Sequence, residues 1–229
     1  MYLLAKKGPK EGSVVEIGSW KGKSTIALAS GAKARNRAKV IAIDPHKGSR
    51  SWGKPVLKGP PTFTEFKRNI KKANLDDWVL PVVKTSKNAS RSVRAGIRLL
   101  FIDGLHDYKS VLQDFRLWEP KVINGGIIAF HDAYCGYEGP QAVVFKECVK
   151  SKKFSGFGIV GSIIYARKIP ALSLKAKLDT YRFRLLLPLV FALHRVKVRP
   201  SLEFAIFHIL SRILFLNLFT IKIEMENRL

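Results

Sequence analysis

Short apolar runs recur along residues 13–166, and between them lie longer stretches in which apolar positions return every three or four residues. Runs of the first kind, bounded by polar or glycine residues, read as strands buried on both faces, and stretches of the second kind as amphipathic helices. The pattern predicts strands at 14–17, 40–43, 99–102 and 127–130, with a weaker fifth at 80–83. It predicts helices at 23–30, 63–73, 108–118 and 141–149, between those strands. Such alternation implies a parallel sheet with crossover helices on both faces. Beyond Phe157, segments 158–160 and 162–166 are separated by Gly161 alone and predict an antiparallel pair that closes the sheet. The expected fold class is α/β: a doubly wound, mostly parallel sheet with an antiparallel closing strand and a helical C-terminal extension.

That extension begins where the pattern changes, after Pro170. Residues 172–193 and 202–221 are strongly apolar but are interrupted by Lys175, Lys177, Arg182 and Arg184 in the first and by His208 and Arg212 in the second, with Pro200 between them. The chain therefore divides into an expected α/β domain over 1–169 and a basic, apolar helical extension over 170–229. Segment 202–221 is just long enough to span hydrocarbon, yet spanning would bury His208 and Arg212, at about 2.5–3.5 kcal/mol for the arginine alone. Its polar residues fall mainly on one narrow helical face, so the expectation is a helix lying on an anionic membrane surface. The competing expectation is packing on the α/β domain or on a second copy of the chain, making a homo-oligomer. One further segment stands out. Residues 47–61 carry Pro55, Gly59, Pro60 and Pro61 and read as a mobile lid beside a site.

Charge narrows the partners less than its size suggests. The balance of 41 Lys+Arg against 17 Asp+Glu gives +24, which attracts any phosphate-rich surface: nucleic acid, an anionic leaflet, or a nucleotide-linked substrate. Only Cys135 and Cys148 are present, without metal-ligand spacing, which points to a reducing compartment. Residues 1–5 are too short an apolar run for a signal peptide, so the expected location is cytoplasmic, at most peripheral at the inner face of the membrane.

Candidate chemistry begins at the end of the first strand, in Glu16-Ile17-Gly18-Ser19-Trp20-Lys21-Gly22. Glycine suits a turn where the backbone approaches a ligand or takes positive φ, and the following helix presents free amides. A dinucleotide turn requires G-x-G-x-x-G, whereas Trp20 stands two positions after Gly18, which weakens a nicotinamide reading. The second strand ends in Asp44, placed to accept both hydroxyls of a ribose. In order, the two motifs point to an adenosine ligand.

Two further stretches carry a family resemblance: Phe101-Ile102-Asp103-Gly104-Leu105-His106-Asp107-Tyr108 followed by Asp114, and Gly125-Gly126-Ile127-Ile128-Ala129-Phe130-His131-Asp132. With the glycine turn they make residues 13–167 resemble the class I S-adenosylmethionine-dependent methyltransferases, whose fold is Rossmann-like, and among them the type 24 domain that includes metal-dependent sugar and antibiotic O-methyltransferases. The resemblance implies that Glu16, Gly18, Ser19, Gly22, Asp44 and Asp103 line the S-adenosylmethionine site, with Ser24 or Thr25 capping the helix beside the methionine carboxylate. It also implies that Asp103 and an acidic pair after the fifth strand hold a divalent cation, with His106 as base. Here that pair is His131-Asp132, so an imidazole replaces one carboxylate. Oxygen ligands suit Mg²⁺, while Asp103, His131 and Asp132 together also suit Mn²⁺, Fe²⁺ or Zn²⁺.

Methyl transfer is an in-line displacement that demands alignment and removal of the acceptor proton, by a base or through a cation. The expected acceptor is a small-molecule or sugar hydroxyl. Asp107 and Asp114 are expected to cap or decorate the next helix, His46 to belong to its loop, and Trp20, Tyr108 and Trp118 to be core or cleft wall. An RNA methyltransferase is the alternative that the charge favours, although Asp103-Gly104-Leu105-His106 lacks the Pro-Pro-aromatic of base N-methyltransferases. A non-catalytic cofactor-binding module is the third reading.

Overall fold

The computed structural model describes residues 1–35, 39–48, 62–94, 96–134, 137–171 and 173–195, without the side chains of 189–195. Most of the expected lid (49–61), Cys135 and all of 202–221 lie outside the described residues.

A seven-stranded sheet organises the chain. Its strands are β1 (Ser13–Ile17), β2 (Val40–Ile43), β3 (Val79–Val82), β4 (Ile97–Ile102), β5 (Val122–Phe130), β6 (Phe154–Val160) and β7 (Ile163–Lys168), in the spatial order β3-β2-β1-β4-β5-β7-β6. The first five are parallel, and β7 runs antiparallel to both β5 and β6. Every residue of β4 is buried, as a central parallel strand requires. Side chains alternate between two cores: Val15, Ile17, Leu100, Ile102, Ile128 and Phe130 enter one, while Val14, Leu99, Phe101 and Ala129 enter the other.

Helices cover both faces: α1 (Tyr2–Lys7), α2 (Lys23–Lys33), α3 (Phe63–Lys72), α4 (Ser86–Ser90), α5 (Tyr108–Trp118), α6 (Glu138–Val143) and α7 (Leu174–Arg195). α5 packs Val111, Phe115 and Trp118 into the first core, and α2 and α3 pack Leu28 and Phe66 into the second. Asp107 caps α5, its carboxylate accepting the Ser110 amide at 3.0 Å.

The predicted pattern of strands and helices is present, with differences at the ends. β3 starts one residue early, β6 reaches back to Phe154, and the last predicted helix begins at Glu138 and widens into a π-turn over Val144–Val149. α1 and α4 were not anticipated, because six and five residues are too few to display a helical period. α1 is fixed by tertiary contact: Leu4 and Ala5 are buried, and Arg98 in β4, itself fully buried, donates to the Ala5 carbonyl at 2.8 Å.

The start of the C-terminal extension docks on the sheet edge. Phe183, Leu186 and Leu187 of α7 are buried, Phe183 stacks on Phe157 of β6 at 4.7 Å, and the Thr180 hydroxyl donates to the Phe154 carbonyl of β6 at 3.4 Å. Among the described residues no helix is long and apolar enough to cross a membrane.

Register explains why the site forms where it does. Ile17 pairs with Ile43 and Ile102, and Ile102 pairs with Phe130. The residues that follow, Gly18, Asp44, Asp103 and His131, therefore leave the sheet side by side along one edge. The edge is the carboxyl end of the parallel strands, and the strand order reverses between β1 and β4, the crevice in which open α/β sheets bind ligands.

Candidate active site

The β1 turn is shaped by its neighbours as much as by any ligand. Gly18 has φ +88°, and a Cβ there would lie 2.0 Å from the Asp103 carbonyl oxygen, so only glycine lets β1 and β4 end side by side. Gly22, at φ +89°, starts α2 without a side-chain cap. Between them Trp20 takes φ +41°, stabilised by its amide donating to Asp44 Oδ2 at 2.8 Å. The other oxygen, Oδ1, accepts the His46 amide at 2.6 Å. Asp44 thus braces two backbone segments, and each oxygen retains a lone pair for a ribose hydroxyl.

Neither Ser24 nor Thr25 is the N-cap of α2, which is Gly22 without a side-chain cap bond; Thr25 turns inward and donates its hydroxyl to Glu16 Oε2. Glu16 is fully buried, and desolvation pushes its carboxyl up to about 8, so it is largely uncharged at neutral pH. Ser19, only 2% exposed, has a buried hydroxyl with no hydrogen-bond partner, placed at the crevice. An orphaned hydroxyl at the switch point fits a polar ligand group there.

His46 is more than a loop residue. It is buried against Phe63 and Phe66, at 5.0 and 5.2 Å between ring centroids, and its Nδ1 lies 2.9 Å from Thr62 Oγ1. Burial lowers its pKa, so the ring is neutral and ties the chain after β2 to the start of α3.

Across the crevice four side chains converge. His131 Nδ1 lies 2.9 Å from Asp103 Oδ1 and 3.5 Å from Asp132 Oδ1. His106 Nε2 lies 3.4 Å from Asp132 Oδ2 and 3.8 Å from Asp103 Oδ1. Both ring nitrogens are buried without a well-directed hydrogen bond. Ligand atoms of Asp103, His106 and His131 all fall within 4.8 Å of one another, and Asp132, at φ +51°, closes the group. Burial raises the Asp103 carboxyl, while the Asp103 carboxylate raises His131. Both shifts retain a proton, the behaviour of a site short of positive charge. The set fits a divalent cation of the borderline class: Asp103 and His131 stand together at its centre, with Asp132 and His106 both within reach of them.

Ile102, Gly104, Leu105, Val111 and Pro140 surround this group, and the Tyr137 ring packs 4.7 Å from His106. Tyr137 was missed because an aromatic in a loop carries no periodic signal. Asp114 departs from its expected helix-surface role: it is buried beneath the β4 turn, bonded to Ser86, and desolvation pushes its carboxyl up to about 6. Trp118 is fully buried and donates to Ser86 at 2.8 Å, whereas Trp20 stands 53% exposed at the turn.

A glycine turn and Asp44 on one side of the β1/β4 crevice, with an aspartate and histidine cluster on the other, define the class I methyltransferase architecture. Residues 15–133, just over half of the chain, match the type 24 methyltransferase domain, and the chain belongs to that S-adenosylmethionine-dependent family. An uncharacterized protein of Acanthamoeba polyphaga mimivirus is 33% identical over 121 residues, covering 52% of this chain. The chain spans about half the length of that curated relative, 50%. Among solved structures, the O-methyltransferase NovP is similar at a TM-score of 0.57 and 19% identity over 73% of this chain and 75% of NovP. An rRNA methylase from Streptococcus thermophilus is similar at 0.52 and 15% over 73% and 92%. A Podospora anserina methyltransferase bound to SAH is similar at 0.54 and 14% over 73% and 75%. At these identities the structures speak for the fold.

Proposed function

We propose that this chain is an S-adenosylmethionine-dependent O-methyltransferase acting on a small-molecule or sugar hydroxyl. The carrying observation is the placement of His106 between two carboxylates, 3.4 Å from Asp132 and 3.8 Å from Asp103, on the crevice that faces the Glu16–Gly22 turn. S-adenosylmethionine, when bound, supplies an electrophilic methyl group, and a divalent cation, when bound, lowers the pKa of the acceptor hydroxyl. Asp44 and Ser19 hold the nucleoside side of the cofactor, and Glu16 backs them from the core. Asp103, His131 and Asp132 would hold the cation. His106 Nε2 takes the hydroxyl proton, and the flanking carboxylates stabilise the imidazolium that results. Leu105, Tyr137 and Pro140 exclude water from one side of that proton.

An acceptor hydroxyl needs a base within reach, which this cluster supplies, and Asp103-Gly104-Leu105-His106 lacks the Pro-Pro-aromatic that stacks a flipped base. RNA is the second reading, favoured by the +24 charge. Incubation of the full chain with methyl-labelled S-adenosylmethionine, a small-molecule extract and bulk RNA separates the two. Label in the small-molecule fraction, lost in His106→Ala, is the expected result. Label in RNA alone would overturn the proposal.

A further inference from the structure

α7 presents two opposite faces. Its inner face is accounted for by Phe183, Leu186 and Leu187 against the sheet. On the outer face Leu174, Leu178, Tyr181 and Leu185 are exposed, at 83%, 46%, 59% and 56%. At about 100° per residue these four fall in a sector roughly 60° wide, diametrically opposite the buried residues. They account for four of the nine large apolar side chains found exposed among the described residues, so the patch is concentrated.

Basic residues border the stripe on both sides. Lys175 and Arg182 lie along one margin, Lys177 and Arg184 along the other, and the only acidic residue of the helix, Asp179, lies toward the protein, 4.0 Å from Arg182. Arg195, Lys197 and Arg199 continue the positive charge along the sequence. An apolar strip between two cationic margins matches one kind of surface, an apolar layer under an anionic headgroup plane. It does not match a second copy of this chain, because two such helices face to face bring eight like charges together in a protein already at +24.

We infer that α7 is a peripheral membrane-docking helix that lies flat on an anionic lipid surface, inserting Leu174, Leu178, Tyr181 and Leu185 while the margin cations bind headgroups. The helix is fixed by its inner face, so it arrives preformed and loses little conformational entropy on docking. The surface brings the methyltransferase domain to acceptors at a lipid interface, a consequence independent of which acceptor is methylated.

The test is co-sedimentation of the full chain with vesicles of phosphatidylcholine, alone or mixed with phosphatidylglycerol. Expected is binding to the mixed vesicles at low salt that weakens at high salt, and little binding to phosphatidylcholine alone. The double variant Leu178→Glu, Leu185→Glu should lose at least roughly tenfold in partitioning. Lys177→Glu with Arg184→Glu should lose a comparable factor. All four positions are at the surface, and SAH affinity, which α7 does not touch, should be unchanged in both variants. Tyr181→Trp should shift its emission to the blue on the mixed vesicles.

Wild-type protein that stays in the supernatant overturns the inference. So does a glutamate variant that sediments as wild type, or equal binding to both vesicle types. A dimer dissolved by Leu178→Glu would assign the stripe to self-association instead. Vesicle binding that emerges only after removal of residues 202–221 would show that the chain's own end covers the stripe.

Discussion

Glu16 is the residue at which the structure makes its most quantitative demand. The side chain is 0% exposed, and desolvation raises its carboxyl from the ordinary 4.5 to about 8. Between those values the native chain holds a proton that the unfolded chain has released. The contribution is therefore fully present below pH 4.5 and is lost as pH rises through about 8. At ~1.4 kcal/mol for each pH unit, the whole window amounts to ~5 kcal/mol. Glu16→Gln keeps the shape and the acceptor for Thr25 but removes the titration. Urea unfolding at a series of pH values, compared between wild type and Glu16→Gln, isolates the effect. Asp114, whose carboxyl rises to about 6, and Cys148, raised by burial, act in both chains and cancel in the difference. The stability difference should move in favour of Glu16→Gln by ~1.4 kcal/mol per unit between pH 5 and 7. Parallel pH profiles would refute the reasoning, because they would mean that Glu16 titrates alike in both states.

Three other outcomes follow from the geometry. Gly18→Ala places a methyl 2.0 Å from the Asp103 carbonyl at φ +88°, so unfolding stability should fall by roughly 3 kcal/mol or more, measured in urea. Phe183→Ala removes a buried ring stacked on Phe157, which should cost ~3 kcal/mol and raise amide exchange along α7, read by mass spectrometry. His131→Ala should abolish Mn²⁺ binding measured by electron paramagnetic resonance, while His106→Ala should keep it and lose methyl transfer; loss of Mn²⁺ in both would make His106 a ligand rather than the base.

The sheet was legible because parallel strands buried on both faces announce themselves as short apolar runs, and β1, β2, β4 and β5 are such runs. Their ends were legible too, since the polar residue after each run marks the carboxyl edge, and this placed Gly18, Asp44, Asp103 and His131 together. Three things were not. α1 and α4 are held by tertiary contacts such as Arg98 to Ala5, which no local period encodes. The inward turn of Thr25 depends on the buried carboxyl of Glu16 in the strand before it, so a hydroxyl that looked like a helix cap serves Glu16 instead. Asp114 lies on the buried face of α5 with Val111, Phe115 and Trp118, although its polarity suggested the helix surface. The outer stripe of α7 was visible as apolar sequence, but only the docking of Phe183 and Leu187 shows which apolar residues remain uncovered.

The central claim is that the crevice between β1 and β4 holds S-adenosylmethionine through Asp44. Calorimetric titration of the full chain with S-adenosylmethionine and with SAH, in wild type and Asp44→Ala, tests it most directly. The account predicts one site per chain and a loss of about 1 to 3 kcal/mol in Asp44→Ala, the scale of hydrogen bonds to a charged group. Absence of binding by the wild type, or equal affinity in both proteins, would contradict it.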